Sequence, residues 1–236
     1  MHHETIEYRC GDTVMKGFYA APDTSEGRRP AVLIAHAWFG RNQFVVDKAK
    51  SLAELGYCAL ALDLYGDATV ADNADDARAL MTPVVSDRAM LRDRLLAGLE
   101  ALKAQSGVDT SQIGIIGYCF GGLCALDLAR SGADIKGAVS FHGLLHPNGL
   151  DPQPLKAKVL VLHGYDDPMV PPEQLIGFAQ EMSSAGVDWQ LHAYGGTVHS
   201  FSIPGANNPE HGTVYSATAA RRSWQAMMDF FEEIFE

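Results

Sequence analysis

The chain has 236 residues, of which 47% are hydrophobic, and its 18 basic and 29 acidic residues give a formal net charge of −11. This length suffices for one large hydrophobic core and is short for two independent ones, so we predict a single domain over residues 1–236. Because phosphate binding needs a concentrated positive face, the acidic balance argues against a nucleic-acid partner.

The composition also bears on the cellular compartment. No stretch reaches the roughly 18 apolar residues of a membrane span, and the amino terminus lacks the basic start and apolar core of a secretory signal. We therefore predict a cytoplasmic protein with no membrane partner, and free thiols in place of disulfides. Cys119 and Cys124 lack the CxxC spacing of zinc and redox pairs, so we predict no metal and no other cofactor.

The predicted elements alternate between strands and helices. Within the first twenty residues, two candidate strands surround a Gly–Asp turn, which is typical of an antiparallel sheet edge. Apolar runs that end in glycine or polar turn residues then predict buried parallel strands within residues 31–40, 57–66, 112–122, 135–143 and 157–167. Helical patterns cover roughly 43–55, 86–104, 120–131, 172–185 and 210–234, and the acidic run 71–80 predicts a solvated helix start. This order predicts an α/β fold, with a mostly parallel central sheet and helices on both faces.

The segment GIIGYCFGG (residues 114–122) places a cysteine where a predicted strand turns into a predicted helix. Gly117 and Gly121 lie two residues to either side of Cys119, which gives the G-x-C-x-G form of a nucleophile elbow. Larger side chains at these two positions would collide with the adjacent strand and helix. A helix amino terminus favours thiolate over thiol, and the amide of Phe120 could bind a developing oxyanion, an interaction worth on the order of 3 kcal/mol. A packed core cysteine is the alternative interpretation, and we assign Cys124 to the core.

Two later loops offer the partners that a cysteine nucleophile needs, a base and an acid that orients it. Asp166 and Asp167 follow an apolar strand in LVLHGYDD, and His199 lies in a glycine-rich loop after the strand-like segment VDWQLHAY. The order nucleophile, acid, histidine, each at the end of a strand, is the chain order of α/β-hydrolases. Other histidines, among them His142, His163 and His192, are interpreted as hydrogen-bonded structural residues.

Four short motifs, AHAWFG, GYCFGG, DDPMVP and GGTVHSF, together make the chain resemble the dienelactone hydrolase family, the cysteine branch of the α/β-hydrolases. The similarity in order and spacing runs over nearly the whole chain. It implies Cys119 as nucleophile, His199 as base and Asp167, rather than Asp166, as acid. It also implies an oxyanion hole formed by the backbone N–H groups of Trp38 and Phe120, and hydrolysis of a small ester or lactone through a thioester.

Two positions depart from the family pattern. Ala37 stands where the family carries a glutamate that interacts with the resting thiol, so we hypothesise that Cys119 is ionised through pairing with His199 in the free enzyme. Ile203 stands where the family has an arginine that grips a substrate carboxylate. A neutral, rather apolar ester or lactone would therefore suit the pocket, whose predicted lining is His36, Ala37, Trp38, Phe39, Tyr118 and Ile203.

Other activities fit the same residues. Attack on a neutral organophosphate triester also places negative charge on an oxygen that two amides could stabilise, so we expect phosphotriester or aryl ester turnover as a side activity. A thiol-based sensor that uses Cys119 without hydrolysis, and a binding protein on a hydrolase scaffold, are the alternatives from other classes.

Overall fold

The computed structural model describes residues 1–23 and 27–236. The chain divides into two compact units, residues 1–115 with 149–151 and residues 116–148 with 152–236. Within the described residues, no helix is both long and apolar enough to cross a membrane.

The first unit contains the antiparallel edge and the first parallel strands. Strand β1 (His2–Cys10) pairs antiparallel with β2 (Thr13–Ala21), which pairs antiparallel with β4 (Cys58–Ala61). Strand β4 pairs parallel with β3 (Arg29–Ala35), whose other neighbour is β5 (Val108–Tyr118). The predicted hairpin around the Gly–Asp turn is thus present, and β3 and β4 are the buried apolar runs that a parallel sheet requires.

Three helices accompany these strands, α1 (Gln43–Glu54), α2 (Ala74–Ser86) and α3 (Arg88–Lys103). The helix predicted over roughly 86–104 is α3, which begins at Arg88 because the Asp87 side chain caps it by accepting a hydrogen bond from the N–H of Met90. A preceding helix, α2, begins in the acidic run, where the Asn73 side chain caps its first turn.

The second unit contains the last three residues of β5 and the parallel strands β6 (Gly137–Phe141), β7 (Lys158–Gly164) and β8 (Trp189–Tyr194), adjacent in that order. Its helices are α4 (Phe120–Arg130), α5 (Pro172–Ser184) and α6 (Ala217–Ile234). Apolar residues from α4, β7 and α5 share one core cluster, formed by Leu126, Leu145, Val159, Val161, Val170, Phe178 and Met182. The alternation of parallel strands with helices confirms the predicted α/β class, with a mostly parallel sheet.

The terminal helix begins later than the predicted residue 210. Ser216 caps α6 by accepting a hydrogen bond from the N–H of Ala219. The residues before it form a short antiparallel pair, β9 (Asn207–Asn208) and β10 (Thr213–Val214), joined by a 3-10 turn. The face of α6 that carries Met227, Phe230, Phe231 and Ile234 packs inward, since all four side chains are buried.

Candidate active site

Cys119 lies between the end of β5 and the start of α4, in a backbone conformation that L-amino acids rarely adopt. Its φ is 56° and its ψ is −116°, a strained combination for a residue with a Cβ atom. The N–H of Cys119 donates to the carbonyl of Phe141 at 3.0 Å, and its own carbonyl accepts from the N–H of Gly122 at 2.9 Å. The strained residue is therefore held from the neighbouring strand and from the helix that follows.

Close backbone approach explains the glycines around Cys119. A Cβ atom on Gly117 would lie 1.8 Å from the carbonyl oxygen of Gly121, so strand and helix meet here with no room for a side chain. A Cβ atom on Gly122 would lie 2.6 Å from the Ser140 Oγ and 2.7 Å from the Gly143 Cα. Sequence reasoning did not assign this second close approach, although the double glycine after Phe120 was its signal.

His199 and Asp167 form a buried pair in the same unit as Cys119. The Nδ1 of His199 lies 2.6 Å from the Asp167 Oδ2, and the ring nitrogen is the donor because a carboxylate only accepts. The other oxygen of Asp167 accepts from the N–H of Met169 at 2.8 Å, which fixes the carboxylate plane. Asp166 instead accepts from the N–H of Gly196 at 2.6 Å and lies at the surface. The structure thus brings Asp167, and not Asp166, to His199.

The electrostatics of His199 connect it to Cys119. Burial disfavours the charged imidazolium, but interactions with Cys119 and Asp167 outweigh that effect and raise the pKa of His199 well above its ordinary value. Among the described residues the buried Nε2 of His199 has no hydrogen-bond partner, which leaves this nitrogen available to Cys119. An arrangement of this kind can hold a thiolate beside an imidazolium.

The two residues implied as oxyanion donors occupy different units. Phe120 is the first residue of α4, where the positive end of the helix dipole lies. Trp38 lies in the turn after β3, where its carbonyl accepts a hydrogen bond from the Tyr65 hydroxyl at 2.8 Å and its ring packs edge to face on Phe39 at 5.1 Å. Ala37, Trp38 and Phe39 are each partly exposed.

His36 is fully buried, and both of its ring nitrogens are engaged by backbone. Its Nδ1 lies 2.7 Å from the Ala37 carbonyl, and its Nε2 accepts from the N–H of Leu64 at 3.2 Å. Burial lowers the pKa of His36 to about 4. The ring is therefore neutral and serves to hold the turn that carries Ala37.

Of the other predicted pocket residues, Tyr118 is fully buried and stacks on Phe141 with ring centroids 4.7 Å apart, so its side chain has no exposed surface. Ile203 is partly exposed, in a turn where its N–H donates to the carbonyl of Ser200 at 3.0 Å. Over residues 1–23 and 27–236 there is no cluster of three or more His, Cys, Asp or Glu side chains placed to hold a metal ion.

One organising residue that sequence reasoning missed is Asp63, a buried carboxylate just after β4. It accepts hydrogen bonds from four backbone N–H groups, those of Lys16, Tyr65, Gly66 and Ala68. These bonds shape the loop that follows β4, whose Ala71 N–H donates to the carbonyl of Phe39 at 2.9 Å. The only sequence signal was an acidic residue directly after an apolar strand.

Comparison with known proteins places this geometry in a family. A family model described as the dienelactone hydrolase family matches residues 15–235. A putative carboxymethylenebutenolidase of Yersinia pestis is 29% identical over 249 residues, covering 98% of this chain and 90% of the relative. A probable 2-oxo-3-(5-oxofuran-2-ylidene)propanoate lactonase of a Bradyrhizobium species is 30% identical, covering 87% of this chain and 84% of the relative.

Two solved structures are similar to this chain. A dienelactone hydrolase-like promiscuous phosphotriesterase from metagenomic libraries is 39% identical, with a TM-score of 0.94, and the match covers 100% of this chain and 99% of that one. A putative dienelactone hydrolase from Klebsiella pneumoniae has the same fold, with a TM-score of 0.81 at 23% identity, over 98% of this chain and 99% of that one. The chain belongs to the dienelactone hydrolase family and is a hydrolase.

Proposed function

We propose that the protein is a cysteine-dependent hydrolase of small neutral esters or lactones that works through a thioester intermediate. The observation that carries this proposal is the placement of Cys119 on a strained strand-to-helix turn, in one compact unit with the buried His199–Asp167 pair. The pKa of His199, raised by Cys119 and Asp167, favours an imidazolium that can donate a proton to a leaving group.

The chemistry of each step follows from these groups. The Cys119 thiolate attacks the carbonyl carbon, and the electron pair of the C=O bond moves to its oxygen, where the Phe120 amide can stabilise the negative charge. The resemblance adds the Trp38 amide as a second donor, which stays a prediction. When the tetrahedral intermediate collapses, the C–O bond to the leaving group breaks and the His199 imidazolium gives its proton to the departing alkoxide.

A water molecule then cleaves the thioester. Neutral His199 takes one proton of the water as the oxygen attacks the acyl carbon, and the C–S bond breaks to release the acid and the Cys119 thiolate. This step restores the imidazolium–thiolate pair, so no external oxidant, reductant or metal is needed for the balance. Asp167 keeps Nδ1 as a donor and stabilises the imidazolium throughout.

The preference for a neutral substrate rests on one side chain. Ile203 offers an apolar, partly exposed side chain where the family has an arginine, so this position supplies no cation for a substrate carboxylate. A small ester or lactone without charge near the carbonyl is the substrate class that Ile203 favours.

The test is a panel of p-nitrophenyl esters and lactones assayed with the parent, Cys119→Ala and His199→Ala. We expect both substitutions to abolish turnover of every substrate that the parent accepts. Cys10→Ser, which changes a free thiol on β1, is the matched control and should retain full activity. Turnover that survives in Cys119→Ala would exclude the thioester mechanism and favour one of the non-enzymatic roles for the thiol.

A second candidate substrate class is the neutral organophosphate triester. It is supported by the 39% identity to a promiscuous phosphotriesterase, and the same nucleophile and oxyanion donor serve attack at phosphorus. With a paraoxon-like triester we expect steady turnover that is lost in Cys119→Ala. A burst of p-nitrophenol that stops after about one equivalent would show that the phosphorylated cysteine is not released, and would remove this activity from the proposal.

All four cysteines are free thiols. This supports our proposal of a cytoplasmic location, because the cytosol keeps thiols reduced.

A further inference from the structure

His142, at the end of β6, is a buried histidine that the mechanism above does not use. Its φ is 39°, in the left-handed region, and its N–H donates to the carbonyl of Leu162 on the neighbouring strand at 2.9 Å. The residue is fully buried, and its Nδ1 has no hydrogen-bond partner among the described residues. Strain and an unsatisfied buried nitrogen both cost stability, which points to a functional reason for a histidine at this place.

Two contacts connect His142 to the loop that carries His199. The Nε2 of His142 lies 2.8 Å from the Oγ of Ser202, three residues beyond His199. Its ring also packs edge to face against the ring of His199, with centroids 5.1 Å apart, and in the same manner against Phe201 at 5.1 Å. One side chain therefore holds both the ring of His199 and the turn that follows it.

The charge state of His142 suits this contact. Burial first, then the charge of His199 and that of His163, keep the pKa of His142 well below its ordinary value. The groups that face it are the two histidines, the neutral phenol of Tyr118 and the apolar ring of Phe201. A neutral ring packed edge to face can accommodate an imidazolium, whereas a second positive charge would repel it.

We propose that His142 is a positioning residue, which with Ser202 fixes the orientation of the His199 ring that the Cys119 chemistry requires. Asp167 anchors His199 at Nδ1, but a single hydrogen bond leaves the ring free to tilt about that bond. The edge-to-face contact with His142 restricts this tilt, and the bond to Ser202 keeps His142 itself in place. The inference rests on the proposed function, since it gives His142 a role through His199.

Three variants of the full-length protein separate the two contacts. His142→Gln can keep a donor for Ser202 but lacks the ring, His142→Phe keeps a ring but loses the hydrogen bond, and Ser202→Ala removes the bond from the other side. We expect each variant to lower kcat/KM for a p-nitrophenyl ester by between about tenfold and a hundredfold, mainly through kcat, the loss typical of a misplaced catalytic group. His146→Phe, an exposed histidine four residues along, should match the parent.

The rate of Cys119 alkylation by iodoacetamide between pH 6 and 9 supplies a readout that a merely structural role would not move. The His142 variants should react more slowly than the parent at pH 6 and approach it at pH 9, because a tilted His199 stabilises the thiolate less. His142→Phe and Ser202→Ala should also be non-additive when combined, since both remove the same hydrogen bond.

The outcomes distinguish this inference from the proposed function. If Cys119→Ala is inactive while folded His142→Gln, His142→Phe and Ser202→Ala all keep kcat/KM within about twofold of the parent, the positioning role is wrong and the mechanism stands. If Cys119→Ala remains active, the mechanism itself fails. Should a His142 variant fail to fold, Ser202→Ala alone decides, because it leaves the buried ring in place.

Discussion

The close approach at Gly117 predicts that a single added methyl group will damage both stability and activity. In Gly117→Ala the new Cβ atom would lie 1.8 Å from the carbonyl oxygen of Gly121 and 2.2 Å from its carbonyl carbon. Real Cβ atoms essentially never come closer than 3.0 Å to such an atom, so the Cβ and the oxygen must separate by 3.0 − 1.8 = 1.2 Å. Both groups belong to backbone or are fixed to it, and no side-chain rotation relieves the contact.

The magnitude follows from this displacement. Overpacking costs about 1–3 kcal/mol, and the upper value applies here because backbone must move. For a chain of this size 1 kcal/mol lowers Tm by about 2–4 °C, so we expect a loss of about 6–12 °C in thermal unfolding followed by circular dichroism. The same movement displaces Cys119 relative to His199, and a shift of this size reduces kcat/KM by roughly a hundredfold.

A glycine in open space provides the control. Gly177 lies in α5 at the surface, and a Cβ atom there would meet nothing within 4 Å. Gly177→Ala should raise the unfolding free energy by about 0.4–1 kcal/mol and leave activity unchanged. If Gly117→Ala unfolds within about 2 °C of the parent and keeps its kcat/KM, strand and helix are not in contact at the elbow and the argument is refuted.

Three further predictions concern charge. If Cys119 rests as a thiolate paired with His199, its alkylation should be nearly as fast at pH 6 as at pH 8. In His199→Ala the dependence of the alkylation rate on pH should become that of an ordinary thiol, with a midpoint near pH 8.5. A parent protein that already shows this ordinary dependence would contradict the pairing. Since the pKa of His36 is lowered to about 4, the unfolded chain binds more protons than the folded one between pH 6.5 and 4. Lowering the pH through this window should therefore reduce the free energy of unfolding by up to about 3 kcal/mol, and urea unfolding of His36→Gln across the window should show a weaker pH dependence. Arg130 is buried and donates two hydrogen bonds to Glu181. Replacing Arg130 by methionine should lower the free energy of unfolding by about 3–5 kcal/mol, and an unchanged urea midpoint would show that the pair is dispensable.

The strands and the elbow were predictable because their signals are local. An apolar run that ends in glycine predicts a buried strand followed by a turn, and β3, β4, β6 and β7 all follow that pattern. Gly117 indicated a tight turn in the sequence because only glycine tolerates a backbone contact as close as the one it makes with Gly121. The start of α6 was missed by seven residues, since Ser216, which caps the helix, competes with other polar residues nearby that could serve as caps.

The candidate site was predictable in part. Asp167 was separated from Asp166 by family resemblance alone, whereas the structure separates them by direction: one side chain points inward to His199 and the other outward to Gly196. Adjacent residues on a turn share their sequence context, so spacing could not decide between them. Asp63 gave no signal of its four hydrogen bonds, because all its donors are backbone groups that carry no residue-specific information.

Backbone strain in the second unit is concentrated around His199. Three residues other than glycine in the described part of this unit have positive φ, namely Cys119, His142 and Ser200, at 56°, 39° and 59°. One is the proposed nucleophile, one packs against His199 and one follows it directly. Strained conformations persist only where the surrounding structure over-determines them, and they mark functional sites. No side chain in the sequence encodes a positive φ at a cysteine, a histidine or a serine, so this clustering becomes visible only in three dimensions. It is independent of the charges of His199 and Cys119, and it points to the same place in the molecule.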